Sequence, residues 1–203
     1  HARVRSVDVR PALDLPGVAC ALTAPDVPGV PLYGLISHDQ PVLAADTVRY
    51  VGEAVAIVAA DHPDTARRAV EALVVDYEPL DALVDAADAL DPFTPAIHPD
   101  GNVVRRITLR HGDAAADGDT DGHADVVVEG VYEVGMQDQA FLGPESGLAV
   151  PDGEGGIDLW VATQWLHEDR DQVAACLDLP PEQVRLHLGG VGGAFGARED
   201  LRL

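Results

Sequence analysis

The chain has 203 residues, with 13 basic against 35 acidic side chains, a formal net charge of −22, and 47% hydrophobic and 24% charged residues. At roughly 100–200 residues per domain this allows one domain or two modest ones, and the balance of residues permits a packed core and excludes global disorder. The negative field argues against nucleic-acid and anionic-membrane partners, all 13 cations are arginine, which removes lysine Schiff-base and Walker-type chemistry, and no apolar run approaches the roughly 18–20 residues of a membrane span.

In chain order, residues 2–9 alternate in part, Val4, Val7 and Val9 against Arg3, Arg5 and Asp8, and read as a strand. Residues 18–23 form a short apolar run that ends at Pro25 and Pro28. Residues 47–51 lead through Gly52-Glu53 into the apolar run 54–60, which reads as a central strand buried on both faces. A helix then opens at His62-Pro63-Asp64, with Pro in the first turn and Ala66, Ala69, Val70 and Leu73 as its buried stripe. Residues 74–77 form a strand stopped by Pro79. Between residues 81 and 102 the pattern dissolves into Ala, Asp and Pro, and this stretch reads as a linker between two units. Beyond it, residues 103–109, 126–134, 147–150 and 157–163 read as strands. Residues 166–179 read as a helix with the seam Leu166, Val173 and Leu177, ended by Pro180-Pro181. A last strand at 184–188 runs straight into a glycine-rich turn.

Three stretches carry chemistry. Gly189 to Gly196 holds five glycines in eight positions directly after a strand, which suits either a flexible turn or a cradle whose N–H groups converge on an anion; a buried aromatic at Phe195 favours the cradle. The spacing fits neither the dinucleotide fingerprint nor the P-loop. Thr163-Gln164-Trp165 lies where a strand hands over to a helix, and Gln164 there either faces a site or serves the turn. Gln139-Ala140-Phe141-Leu142-Gly143-Pro144-Glu145 reads by itself as a loop and turn. Asp117-Gly118-Asp119-Thr120-Asp121-Gly122 imitates the first half of a calcium loop, but position twelve is Val128, so it reads as a solvated acidic loop. Hydrolase chemistry is poorly supplied: Ser6, Ser37 and Ser146 are the only serines and none sits in a nucleophile elbow. The eight histidines are scattered singly, no side-chain metal site is expected, and Cys20 and Cys176 read as reduced, buried small hydrophobes.

Three pieces in chain order, Gln139 to Glu145, then Thr163-Gln164, then Gly192-Gly193-Ala194-Phe195-Gly196-Ala197-Arg198-Glu199, resemble the xanthine dehydrogenase/aldehyde oxidase family of molybdenum hydroxylases, and most of all its xanthine-oxidising molybdopterin subunits. The run from Pro41-Val42-Leu43-Ala44 to Val48-Arg49-Tyr50-Val51-Gly52-Glu53-Ala54-Val55-Ala56 is similar to the family's N-terminal α/β hammerhead domain. The resemblance implies an α+β chain: a hammerhead domain over residues 1–92, then the opening segment of the molybdenum-cofactor domain over 93–203. It implies that Gln164 hydrogen-bonds the apical oxo ligand of molybdenum and that Gly193, Ala194, Phe195 and Gly196 hold the cofactor, as molybdopterin or its cytosine dinucleotide. Glu199 would be the catalytic carboxyl that hydrogen-bonds a purine. The implied reaction hydroxylates a purine carbon with oxygen from water, hypoxanthine and xanthine giving urate, and electrons leave through iron–sulfur clusters to FAD and then NAD; the alternatives are an aldehyde or carbon monoxide oxidiser of the same family, or a non-catalytic assembly or binding fragment. Two distant cysteines ligate no cluster, so clusters and flavin are expected on partner subunits. Ala194 and Ala197 stand where the family commonly has glycine, and Arg198 where it commonly has lysine. With Leu203 four residues after Glu199, the rest of the cofactor domain is expected as a separate requirement, and this polypeptide alone is expected to be inactive and to expose apolar surface. The start shows no secretion pattern, and the chain is expected to be cytoplasmic.

Overall fold

The computed structural model describes residues 1–109, 126, 128–143 and 146–198. The chain forms two units, one from His1–Ala82 with Gln139–Leu203 and the other from Leu83–Asp138. In chain order the first unit carries β1 (Ala2–Asp8), α1 (Arg10–Leu13), β2 (Val18–Thr23), β3 (Leu32–Tyr33), β4 (Gln40–Pro41), β5 (Thr47–Val48) and β6 (Ala56–Ala60). There follow α2 (Pro63–Ala72), β7 (Val74–Pro79), β8 (Leu148–Pro151), β9 (Ile157–Val161), α3 (Leu166–Leu177) and β10 (Val184–Leu188). None of the described helices is long and apolar enough to cross a membrane.

Small side chains set the packing of the first 82 residues. β1 lies between β5 and β7, antiparallel to both, with the register slipping by one residue between Val4 and Ser6. Ala2, Ala44 and Val48 form the buried cluster beneath this sheet. β2 pairs antiparallel with β6, and α1 and α2 lie against that pair. The fully buried residues at that junction are Ala12 and Ala69, which let the helices approach closely. His62 caps α2 by accepting from the Asp64 N–H at 3.1 Å, and Pro63 takes the first helical position, where no N–H is needed.

The segment 148–188 folds by a different rule. β8 and β9 are antiparallel, whereas β9 and β10 are parallel and joined through α3, a βαβ crossover. One face of this sheet offers Ile157, Leu159, Val184 and Leu186 to Val173 and Ala174 of α3. α3 ends as Asp178 turns left-handed at φ 55°, and Leu179 then donates to the Ala174 carbonyl at 2.9 Å. The last carbonyls of a helix lack internal partners, and here residues 29–34 supply them. The N–H groups of Gly29 and Val30 donate to Cys176 and Ala175 at 3.0 and 2.9 Å, and the Gly34 N–H donates to the buried Gln172 side chain at 2.8 Å. Cys176 beside them is buried, which pushes its thiol pKa up, and it lines an apolar cavity of about 260 Å³.

Several sequence expectations are corrected. Residues 54–60 are not a doubly buried central strand: β6 has one partner and Ile57 is half exposed, because the pair β2–β6 is covered on one face only. In α2 Val70 is exposed and Thr65 replaces it in the buried stripe. In α3 the buried residues are Asp169, Gln172, Val173, Ala174 and Cys176, and Leu177 lies at their edge: the β9–β10 sheet covers Val173 and Ala174, while residues 29–34 bond to Gln172, Ala175 and Cys176. α1, β3 and β4 were not anticipated, being too short to show periodicity. Cys20 is half-buried rather than buried.

The second unit is held by local hydrogen bonds. Asn102 is its knot: its Oδ1 accepts from the Ile97 N–H at 2.8 Å, while its Nδ2 donates to Pro95 and Ala89 carbonyls at 3.1 and 3.3 Å. Residues 103–109 and the described part of 126–134 form no strand, contrary to the reading of their alternation. A strand needs a hydrogen-bonded neighbour, and none is present among the described residues, so Val104 and Val131 stand exposed.

A methyl group at position 29 would fall on the Ala175 carbonyl oxygen and lie 2.8 Å from the Asp178 nitrogen. In the full-length protein, Gly29→Ala is predicted to lower stability by about 1–3 kcal/mol, seen as a lower melting temperature. Gly135→Ala, into open space, is predicted to stay within about 0.5 kcal/mol. An unchanged melting temperature for Gly29→Ala would contradict the docking of this segment on α3.

Candidate functional site

Ligands of parallel sheets gather at the carboxyl ends of the strands, and here both parallel strands end side by side. The Gly189 N–H donates to the Val161 carbonyl at 2.8 Å, closing the pair at the point where β10 gives way to the glycine turn and β9 to Ala162-Thr163-Gln164. Thr163 is buried, and its Oγ1 accepts from the Trp165 N–H at 3.0 Å, turning the chain into α3. Trp165 is the N-cap of that helix, and its own side chain makes no capping hydrogen bond. The Gln164 side chain is exposed, and its backbone N–H donates to the Arg198 carbonyl at 3.4 Å.

The loop 139–143 meets the glycine turn at a point that leaves no room for a side chain on Gly143 or Gly192. Leu142 donates to the Gly192 carbonyl at 3.1 Å. A methyl on Gly192 would stand 2.6 Å from the Gly143 nitrogen, and one on Gly143 would stand 2.6 Å from the Val191 oxygen. Ala140 enters the loop at φ 50°. In the turn, Gly192, Gly193, Phe195 and Gly196 have φ of 66°, 96°, 51° and 86°. For the phenylalanine this costs roughly 1–2 kcal/mol, since its Cβ crowds the carbonyl, and such strain clusters at functional positions. Phe195 is 77% exposed, which overturns the buried aromatic read from the sequence. The Ala197 N–H closes the turn onto the Ala194 carbonyl at 2.9 Å, whereas the N–H groups of Gly193, Ala194, Phe195 and Gly196 meet no acceptor among the described residues.

Arg198 joins all three pieces. Its side chain is buried; Nη1 donates to the Ala162 carbonyl at 3.1 Å, Nη2 donates to the Gly143 carbonyl at 2.6 Å, and Cζ lies 4.3 Å from the centre of the Phe141 ring. Nothing in the residue pattern marked it beyond its standing in place of a lysine. The structure thus brings together Gln139 to Gly143, Gln164, and Gly192 to Arg198. Glu199, Pro144, Glu145 and the acidic run 117–122 lie outside the described residues.

Comparison with known proteins agrees with this arrangement. Residues 1–81 match the family described as aldehyde oxidase and xanthine dehydrogenase, a/b hammerhead domain, and residues 97–202 match the molybdopterin cofactor-binding domain. A probable xanthine dehydrogenase subunit from Bacillus subtilis is 36% identical over 100% of this chain and 27% of its own length. The nicotinate dehydrogenase large molybdopterin subunit of Eubacterium barkeri is 37% identical over 99% of this chain and 47% of its own. Quinoline 2-oxidoreductase from Pseudomonas putida 86 superposes with a TM-score of 0.82 at 29% identity, over 97% of this chain and 26% of that one. The aldehyde oxidoreductase of Desulfovibrio gigas gives 0.81 at 29%, over 96% and 22%. The chain therefore spans less than half the length of these relatives. It belongs to the xanthine dehydrogenase/aldehyde oxidase family of molybdenum hydroxylases, an α+β chain with a hammerhead domain followed by the start of a molybdenum-cofactor domain.

The described residues fit such a cofactor. Oxo and phosphate groups are hydrogen-bond acceptors, and the turn offers four successive donors on a backbone whose left-handed glycines admit close approach.

The outer face of the sheet that carries the site is held by charge. Asp158 on β9 accepts from His187 at 2.7 Å and Arg185 at 2.9 Å, both on β10, and His187 stacks on Trp160 at 4.5 Å. The His187 hydrogen bond, opposed by desolvation and aided by Arg185, holds the Asp158 carboxyl below the usual carboxylate range. A carboxyl with a depressed folded-state pKa stabilises the fold fully above its unfolded value, near pH 3.9, and loses that contribution as pH falls through the folded value. Urea unfolding of the full-length protein should therefore show Asp158→Asn less stable than wild type above pH ~4, the gap closing as the pH is lowered further. A gap that stays constant with pH would contradict the ion cluster.

Proposed function

We propose that this chain is the N-terminal portion of the molybdenum subunit of an enzyme that hydroxylates a purine carbon, oxidising hypoxanthine and xanthine to urate. Each turnover converts C–H and water to C–OH with release of two electrons and two protons. When bound, the molybdenum cofactor supplies the oxidising equivalents and activates the water-derived oxygen. The observation that carries this reading is the convergence of the turn at Gly193 to Gly196, the loop 139–143 and Gln164 at the carboxyl ends of β9 and β10. In this reading the N–H groups of Gly193, Ala194, Phe195 and Gly196 would hold the cofactor and Gln164 would hydrogen-bond an oxo group on it.

Glu199 follows this turn directly, and its carboxyl offers a purine an acceptor or, when protonated, a donor to a ring nitrogen. Relatives named for xanthine support the purine, and relatives named as subunits support partner chains that carry the iron–sulfur clusters and FAD. We place the domain boundary at residues 92/93 and the enzyme in the cytoplasm, where free cysteines such as Cys20 and Cys176 are the ordinary state.

The test is Glu199→Ala in the full-length enzyme assembled with its partners. Loss of one charged hydrogen bond to substrate predicts a drop in kcat/KM for xanthine of roughly 10- to 100-fold, with aldehyde turnover within about twofold of wild type. Unchanged xanthine turnover would overturn the role of Glu199, and aldehyde turnover that far exceeds xanthine turnover in the wild-type enzyme would move the assignment to an aldehyde oxidiser.

A further inference from the structure

Arg198 is the point at which three irregular segments of the site become one body. A guanidinium is charged in proteins, and this one, 6% exposed, has two carbonyl acceptors and an aromatic face among its partners. The two carbonyls belong to different segments: Gly143 ends the loop that bonds to Gly192, and Ala162 lies two residues before Gln164. The backbone carbonyl of Arg198 in turn accepts from Gln164. One residue therefore ties the loop 139–143, the Gln164 corner and the glycine turn together, and the Phe141 ring lies over the planar fork.

Resting on the cofactor reading above, we propose that Arg198 is a positioning residue of the molybdenum site. It sets the spacing between the Gln164 corner and the Gly193 to Gly196 donors through its paired bonds to Ala162 and Gly143, and touches neither cofactor nor substrate. Partners placed behind a metal site commonly weigh about 10–100-fold in affinity or activity. The fork is a matter of donors and charge rather than of bulk, so a lysine at the same place retains a cation between the same two carbonyls and methionine does not.

The experiment uses the full-length protein assembled with its partners and compares wild type, Arg198→Lys, Arg198→Met and Arg198→Gln. Three quantities are read for each: pterin released per chain, the electron paramagnetic resonance spectrum of the partly reduced molybdenum, and melting temperature with the cofactor removed. Arg198→Lys should hold pterin within about twofold of wild type and keep the molybdenum spectrum. Arg198→Met and Arg198→Gln should lose about tenfold or more in pterin, with a shifted spectrum in whatever remains loaded, while at least one of the two melts within a few degrees of wild type. Wild-type loading and spectrum in a folded Arg198→Met or Arg198→Gln would overturn the proposal. So would loss of loading that merely tracks loss of fold in both, since Arg198 would then serve stability alone. A wild-type protein that holds no pterin would instead be a failure of the cofactor reading itself.

Discussion

The parallel pairing of β9 and β10 is the constraint from which the rest of the site follows. Parallel neighbours require a crossover, and α3 supplies it in twelve residues, so both strands must deliver their carboxyl ends to the same edge. At that edge the Gly189 to Val161 hydrogen bond brings two chain exits together, one continuing to Gln164 and the other into the glycine turn. Neither exit has regular structure. Their geometry is set by what bridges them: the Gly143/Gly192 contact, which excludes any side chain, and the Arg198 fork, which satisfies a carbonyl on each neighbouring segment.

The first 82 residues take part in this unit through the end of α3. Gly29 and Val30 satisfy carbonyls that a helix C-terminus leaves open, and Gln172 is buried because it accepts from Gly34. These are backbone and amide bonds, which explains why α3 buries Gln172. The hammerhead portion thereby braces the same crossover helix that positions the site.

The parts legible in the sequence were those written in local periodicity or in a dense motif. Proline at the start of α2, the strand at 184–188 running into glycine, and the three spaced motifs led to the right elements and the right family. What stayed hidden depended on partners distant in the chain. Ile57 sits in an apolar run that looks central, yet its strand has a single neighbour. Residues 103–109 alternate as a strand does but have no ladder to join among the described residues. Phe195 in a glycine-rich turn looked like a buried anchor, yet it is exposed on a left-handed backbone. Arg198 is the clearest case: the Ala162 and Gly143 carbonyls and the Phe141 ring that it meets lie 36 to 57 residues away in the chain, and no spacing rule links them.

The central claim, that these converging segments grip the molybdenum cofactor, is tested most directly by an experimental structure of the full-length protein with its partner subunits. Cofactor density is predicted within hydrogen-bonding distance of the N–H groups of Gly193 to Gly196, with the Gln164 side chain turned toward the metal. Cofactor density bound elsewhere, with those N–H groups facing solvent or another protein segment, would contradict it.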